Sequence, residues 1–415
     1  MKICGLLGRS LSHSISPAIH AAFGDPEYRL FETDDPIGFL KRGAFDGLNV
    51  TIPYKEPVLP FLDGLDDVAA ATGSVNVIVR RDGRLYGHNT DYDGIASTFA
   101  AHGVDPAGKR AAVIGNGGAA KTVVRYLADH GASGIDVYCR TPRRIGESPL
   151  PSAGGDHEIL VNATPVGMHP DDDGLPVRLD RFPKLGFVFD LVYNPFRTNL
   201  LLEATDRGIA TASGLRMLVT QAKRARELFD GGTIPAAVAE DVFQKIALDF
   251  AGVVLIGMPL SGKSLYAKRL SETLGKPILD TDDAIEEERG RSISDIFATD
   301  GEAAFRAMEE DLVERHAADR GLIVATGGGM IKNADAMRRL RQNGVVVFLD
   351  KDYRRIMAAD IRNRPLIQSP ADVERLAAER RPLYERYADF RVEITGRHDE
   401  TTREIEAKFH AHLDR

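Results

Sequence analysis

Residues 252–275 read GVVLIGMPLSGKSLYAKRLSETLG, and within them Gly257, Gly262, Lys263 and Ser264 fit the spacing G-x-x-x-x-G-K-[ST]. An apolar run precedes the glycines and an amphipathic run follows Ser264, so the motif stands between a strand and a helix, the context it requires. There, backbone N–H groups at the helix start can hold phosphate oxygens, Lys263 can bridge the outer phosphates, and the Ser264 hydroxyl can ligate Mg2+. This part of the chain is therefore expected to fold as a P-loop α/β domain that binds a nucleoside triphosphate.

The same grammar occurs once earlier. Residues 111–140, AAVIGNGGAAKTVVRYLADHGASGIDVYCR, read as strand, glycine turn, helix, turn and strand, a βαβ unit. Two α/β engines also suit the length, because 415 residues exceed what one compact core usually holds. Between them, IPAAVAEDVFQKIALDFAG (234–252) has Pro235 at a helix start and apolar spacing at Val238, Val242, Phe243 and Ile246. We read a closing helix there and a boundary near residue 248, with almost no linker.

In the earlier unit, GNGGAA (115–120) fits G-x-G-x-x-[G/A], with Gly118 and Ala119 inside it and Ala120 in the third place. Its glycines let the backbone approach a pyrophosphate, although a plain tight turn would read the same. An NAD-binding unit places Asp or Glu at the end of the next strand; this chain has Arg140, Thr141, Arg143 and Arg144. Positive charge there fits the 2′-phosphate of NADP, the plainer alternative being a solvated basic patch.

Charge excludes other partners. The net charge is −8, and from Asp249 onward 27 Lys+Arg stand against 31 Asp+Glu, so neither half is a nucleic-acid arm or a polybasic membrane patch. The apolar run near the N-terminus is short for a secretory signal, and no run of about 18 apolar residues follows. Only Cys4 and Cys139 are present, which argues for a reducing compartment, with both read as buried apolar residues. The expectation is a cytoplasmic protein acting on small molecules, with neither nucleic acid nor membrane as partner.

Downstream of the phosphate loop come LDTDDAIEEERGRSISDIF, GEAAFRAMEED, ATGGGMI, RNRPLI and ERRPLYERYADF, and in this order they resemble shikimate kinase over 249–415. The resemblance implies that Asp280 helps hold Mg2+ and that Asp282 sits at the substrate hydroxyl, with Lys263 on the phosphates. It also implies that Arg306 and Arg380 hold the substrate carboxylate, that Gly327, Gly328 and Gly329 line it, and that Arg364 acts from a lid. A carboxylate that accepts a hydroxyl proton beside a metal that neutralises phosphate charge is sound phosphoryl-transfer chemistry. Taken alone, Arg306 could merely pair with Glu302 or Glu310 along its helix.

Over 1–248, the segments GRSLSHSISPAIHAAF, GLNVTIPYKE, GSVNVIVRRDGRLYGHNTDYDG, NATPVGM, DLVYNP and GLRMLVTQA resemble shikimate dehydrogenase. Lys55 matches the catalytic Lys of that family and Asp91 its partner, while Ser14, Ser16, Thr51, Asn76 and Gln221 match the groups that hold shikimate. Tyr193 and Gly214 fall in its motifs near the cofactor. Without the resemblance, Ser16 before Pro17 reads equally as a helix N-cap. Val77, Tyr92 and Cys139 stand where the family usually has Thr, Gly and Asn. Only 17 residues separate Arg144 from Asn162, fewer than the family uses for a helix and a further strand.

The implied architecture is a substrate-binding α/β domain (about 1–94 and 214–248), a Rossmann-like NADP domain (about 95–213) and a P-loop domain of the nucleoside-monophosphate-kinase kind (249–415). The implied chemistry is NADPH-dependent reduction of 3-dehydroshikimate followed by MgATP-dependent phosphorylation of shikimate. The alternatives are a catalytically inactive sensor of the same folds, or a dehydrogenase half that prefers quinate or uses NAD.

Overall fold

The computed structural model of the chain describes residues 2–12, 14–357 and 369–413. The chain forms two compact units, one made of Met1–Asn194 with Thr198–Ile246 and the other of Ala247–Asp414 with Pro195–Arg197. Each contains parallel sheet between helices, the α/β class.

The first unit holds two six-stranded sheets. One is ordered Arg29–Glu32, Cys4–Gly8, Gly47–Val50, Val77–Arg81, Arg84–His88, Gly64–Leu65. Val77–Arg81 runs antiparallel to both of its neighbours, so residue 76 at its start and residues 89–91 beyond Arg84–His88 lie at the same end of the sheet. The end of Gly47–Val50 points there too, which delivers Thr51 and Lys55 to that edge.

The other sheet is ordered Ala210–Ala212, Phe187–Asp190, Ile159–Asn162, Arg110–Ile114, Gly134–Cys139, Glu147–Pro149, and all five of its pairings are parallel. Its central strands Ile159–Asn162 and Phe187–Asp190 are buried throughout, apolar except for the Asn162 and Asp190 that end them, because helices cover both faces. Helix Gly118–Asp129 buries Ala120, Val123 and Leu127 on one side, the spacing its sequence presents. The short stretch after Arg144 accommodates a three-residue strand, Glu147–Pro149, and one 3-10 turn, Leu150–Ser152, with no α-helix between Arg144 and Ile159.

The second unit is built on a five-stranded parallel sheet ordered Ile278–Asp280, Ile323–Ala325, Gly252–Ile256, Gly344–Asp350, Phe390–Glu393. The first three strands are in register, with Asp280 opposite Ala325 and Ala325 opposite Leu255, so their carboxyl ends open on one crevice. In open α/β sheets, ligands bind in that position.

Two local expectations change. Ser16 is the first residue of helix Ser16–Ala22 rather than its cap; Ile15 holds the cap position and no side chain caps it. In the closing helix Ala236–Phe250, Val242, Phe243 and Ile246 are buried, but Val238 is 40% exposed, so the apolar stripe begins a turn later than its spacing implied. Cys4 and Cys139 are free and buried. Among the described residues, no helix is long and apolar enough to cross a membrane.

Candidate active sites

At the edge of the first sheet, Lys55 Nζ lies 2.6 Å from Asp91 Oδ2, with the Lys side chain 18% exposed and the Asp 5%. Asp91 opens helix Asp91–Ala101, where the positive end of the helix dipole favours its charge. Its other oxygen, Oδ1, accepts from Asn76 Nδ2 at 2.8 Å. Asn76 is fixed in turn, because its Oδ1 accepts from the Thr90 amide at 2.7 Å. Gln221 Oε1 accepts from Asn49 Nδ2 at 3.3 Å and from Asn76 Nδ2 at 3.4 Å, and the Thr90 hydroxyl donates to the Gln221 carbonyl at 3.1 Å.

The last contact needs the helices of Asp91 and Gln221 close together, and Gly94 permits it. A Cβ at Gly94 would stand 2.6 Å from the Met217 carbonyl oxygen. Ser14 donates through its hydroxyl to Ser16 Oγ at 3.2 Å, and Thr51 is half-buried with its amide on the Leu7 carbonyl at 3.0 Å. Asn49, Asn76, Thr90, Asp91 and Gln221, the farthest pair 172 positions apart, thus form one polar corner around Lys55.

The glycine turn of the second sheet reaches the same corner. Gly115 has φ +112, which a side chain rarely adopts, and Gly117 caps helix Gly118–Asp129 with open space where a Cβ would stand. A Cβ at Gly118 would lie 2.3 Å from Ser74 Oγ and 3.8 Å from Lys55 Cβ, so the glycine turn abuts the Lys55 segment. Ala119 is half-buried in the first turn of that helix, and Arg140, Thr141, Arg143 and Arg144 are exposed beyond strand Gly134–Cys139. Tyr193 is half-buried. Gly214 starts the helix of Gln221 so close to Leu191 that a Cβ would meet its carbonyl oxygen at 2.0 Å.

In the second unit, Gly257 (φ +151) and Gly262 (φ +99) shape the loop that leads into helix Lys263–Leu274. Lys263 is buried and its ammonium donates to the carbonyls of Gly257 and Met258 at 3.0 and 3.1 Å. The Ser264 hydroxyl donates to Asp280 Oδ2 at 2.5 Å, while Asp280 Oδ1 caps helix Thr281–Arg289 by accepting from the amides of Asp282 and Asp283. One carboxylate therefore braces the next helix and marks an oxygen-lined spot beside the loop. A pair of hard oxygen ligands suits Mg2+, which takes few protein ligands and completes its shell with phosphate and water.

Gly327 sits where a Cβ would meet Asp282 Oδ1 at 2.5 Å and Glu309 Oε1 at 2.6 Å. Gly328 offers its carbonyl to Arg380 at 2.6 Å, and at Gly329 a Cβ would collide with the Arg306 guanidinium. The three glycines admit two arginines and two carboxylates to one small space. Arg306 does pair along its helix, with Glu302 at 3.0 Å, and more tightly with Glu309 at 2.5 Å rather than with Glu310. Arg364 lies outside the described residues.

Glu309 is a site neighbour that sequence reasoning missed. It is 1% exposed, and its Oε1 has no hydrogen-bond partner among the described residues. Burial pushes its carboxyl from the ordinary 4.5 up to about 7, against the pull of Arg306 and with a further push from Asp282. The available signal was helical spacing: Glu309 lies three residues after Arg306 on the same face. Tyr28 and Asn49 were missed too, since only the fold brings the Tyr28 hydroxyl to Asn49 Oδ1 at 2.8 Å.

Comparison with known proteins follows both halves. A family model described as shikimate kinase matches residues 259–410, and one described as shikimate dehydrogenase substrate binding domain matches residues 6–78. A shikimate dehydrogenase (NADP(+)) from Moorella thermoacetica is 36% identical over 273 aligned residues, covering 59% of this chain and 92% of the relative. The crystal structure of shikimate dehydrogenase 1 from Peptoclostridium difficile is similar at TM-score 0.55 and 34% identity, over 59% of this chain and 98% of that one. Shikimate 5-dehydrogenase from Thermus thermophilus, solved in complex with NADP(H) and shikimate, is similar at TM-score 0.53 and 35% identity, over 59% of this chain and 99% of that one.

Proposed function

This chain belongs to the shikimate dehydrogenase family and carries a shikimate kinase domain behind it, a bifunctional enzyme of the shikimate pathway, and from that premise we propose its two reactions. The first unit reduces 3-dehydroshikimate to shikimate with NADPH, and the second phosphorylates a shikimate hydroxyl with MgATP. Free, buried cysteines suit a reducing cytoplasm.

The observation that carries the first assignment is the packing of the glycine turn against the Lys55–Asp91 pair. NADPH, when bound, supplies a hydride to the ring carbonyl carbon. Lys55 gives a proton to the carbonyl oxygen as it becomes a hydroxyl, and Asp91 holds the ammonium in place. Asn76 and Gln221 present side-chain amides to the ring hydroxyls, and Ser14, Ser16 and Thr51 present hydroxyls to the carboxylate. Gly115, Gly117, Gly118 and Ala119 give the pyrophosphate a close backbone approach, with Tyr193 and Gly214 bounding the cofactor side. Arg140, Thr141 and Arg144 meet the adenosine end.

In the second unit, Asp282 positions the acceptor hydroxyl and takes its proton, while Arg306 and Arg380 hold the substrate carboxylate and Gly327, Gly328 and Gly329 leave room for the ring. Lys263 trades its carbonyl partners for phosphate oxygens, supported by the backbone from Gly257 to Gly262, and Ser264 and Asp280 would hold Mg2+, which would neutralise phosphate charge. The hydroxyl oxygen forms the new P–O bond as the β–γ bridge breaks and ADP leaves.

Purified protein assayed with shikimate and with quinate, each against NADP+ and NAD+, and separately with shikimate and MgATP, tests the reading. Turnover of shikimate with NADP+ and formation of shikimate 3-phosphate are expected. Absence of either reaction removes the corresponding assignment.

A further inference from the structure

The stretch that replaces a helix after Arg144 brings a carboxylate to the adenosine end of the cofactor site. Strand Glu147–Pro149 pairs with Gly134–Cys139, Glu147 opposite Val137, which fixes the backbone of Glu147 beside the last strand residues before the arginines. Its Oε2 accepts from Asn116 Nδ2 at 3.0 Å and from the amides of Arg143 and Arg144 at 2.6 and 3.3 Å. Cys139 Sγ lies 3.7 Å away, and Arg144 reaches Oε1 at 3.8 Å. The Glu147 side chain is 7% exposed, whereas that of Arg144 is 52% exposed.

This carboxylate bridges the glycine turn, through Asn116, and the loop after the second strand. Those two segments are the ones that flank the adenosine ribose in a dinucleotide-binding unit. In NAD-binding units, an acid at the end of the second strand accepts the ribose 2′-hydroxyl; here the acid comes from the adjoining strand. The amides of Arg143 and Arg144 and the amide group of Asn116 form a cradle for an anion, and Glu147 is an anion already in it. Those donors, the Arg143 amide foremost, hold its carboxyl below the ordinary range, so it is charged at neutral pH.

We propose that Glu147 sets cofactor choice: its carboxylate occupies the cradle a 2′-phosphate would enter, accepts a 2′-hydroxyl instead, and so lets this chain use NAD nearly as well as NADP. The proposal rests on the reading of residues 115–144 as the cofactor site. Two like charges cannot share the cradle, and the paired backbone of Glu147 limits its retreat. The exposed arginines still attract a phosphate, so the two forces oppose and the preference is small. Ile145, fully exposed at the tip of the same loop, offers an apolar surface to an adenine face whichever dinucleotide binds.

The test is direct binding by the full chain, read from the fluorescence of the reduced nicotinamide, which a protein with 0 Trp does not obscure. The native protein is expected to bind NADPH and NADH within about tenfold of each other, the scale of one screened like-charge contact. Glu147→Gln keeps the donors' partner and removes the charge; it should tighten NADPH about tenfold while leaving NADH unchanged or weaker. Glu147→Asp keeps the charge and should leave the ratio near that of the native protein. An unchanged NADPH-to-NADH ratio in Glu147→Gln, or equal gains in the Gln and Asp variants, overturns the proposal and makes Glu147 a brace of the loop. Binding of neither dinucleotide by native protein with intact kinase activity overturns the cofactor reading with it.

Discussion

In the dehydrogenase unit the Lys55 ammonium lies 2.6 Å from the Asp91 carboxylate, whereas in the kinase unit the Lys263 ammonium lies 3.0 and 3.1 Å from carbonyls of its own loop. Both lysines are largely buried, and each has the partner its proposed role calls for. A proton donor works beside a counter-charge that stays throughout the reaction, so its corner can be bonded up in advance. A phosphate-gripping cation must exchange its partners for phosphate oxygens, so its corner is held by bonds it will give up. The Ser264–Asp280 contact repeats the point, since both oxygens would turn to a metal. One corner is therefore prebuilt and cooperative, and the other is exchangeable.

The largest effect should come from breaking the prebuilt pair. Lys55→Ala is expected to lower dehydrogenase turnover about 10²–10⁴-fold, the usual contribution of a general acid, while phosphorylation continues. The sharper measurement adds Asp91→Asn: if Lys55 and Asp91 act as one unit, the double variant should be scarcely slower than the worse single one. Additive losses would mean that the two work independently, and the contrast with the kinase corner would fail.

Next in size is Lys263→Ala, expected to lower phosphoryl transfer roughly 10²–10³-fold, the scale for loss of one charge-stabilising donor, with reduction spared. Because its contacts with the Gly257 and Met258 carbonyls are exchangeable, the variant should unfold at nearly the native temperature. A large drop in the melting temperature of the kinase unit would show that Lys263 braces the loop, contrary to the comparison.

Glu309 gives a smaller effect, with a definite sign. Its carboxyl titrates at about 7 in the fold against 4.5 ordinarily, so between those values the native state binds a proton that the unfolded chain has released. Stability of the kinase unit should therefore fall as pH rises across this window and level off above it. Glu309→Gln does not titrate, so its stability should gain on that of the native protein as pH rises, measured as the urea midpoint for loss of kinase activity. Parallel curves for the two proteins would show that Glu309 carries no such shift.

How much could be read from the chain itself differs between the corners for the same reason. The phosphate loop is local: glycines, lysine and serine act within eight residues, and strand and helix signals flank them, so Gly257–Ser264 could be read with its chemistry. Asp280 and Ser264, 16 apart, meet because adjacent structural elements end on one crevice, which resemblance supplied and composition could not. The dehydrogenase corner depends on pairs such as Asn49 with Gln221 and Lys55 with Asp91, and these exist only once an antiparallel strand returns residues 76 and 89–91 to the edge that holds Lys55. Glu147 was illegible for a different reason. The shortness of the segment after Arg144 was visible, but not that a three-residue strand would turn a carboxylate into the arginine loop.

The smallest effect tests how far the prebuilt corner extends. Tyr28 is buried and stacks on His20 at 3.8 Å, and its hydroxyl holds Asn49 Oδ1, which orients the Asn49 amide toward Gln221. Burial pushes the pKa of His20 down to about 3, keeping the stacked ring neutral. Tyr28→Phe thus removes a single bond while preserving the stack. A lost hydrogen bond of this kind is worth about 0.5–1.5 kcal/mol, or roughly a two- to twelvefold change. It should appear as a higher KM for shikimate with little change in kcat, because in the proposed reaction Gln221 meets the ring and not the transferred hydride. The KM for NADP+ should stay as in the native protein. A Tyr28→Phe enzyme with native KM for shikimate would end the prebuilt network at Asn76 and Asp91; a fall in kcat without a change in KM would instead tie Tyr28 to the proton-donating pair.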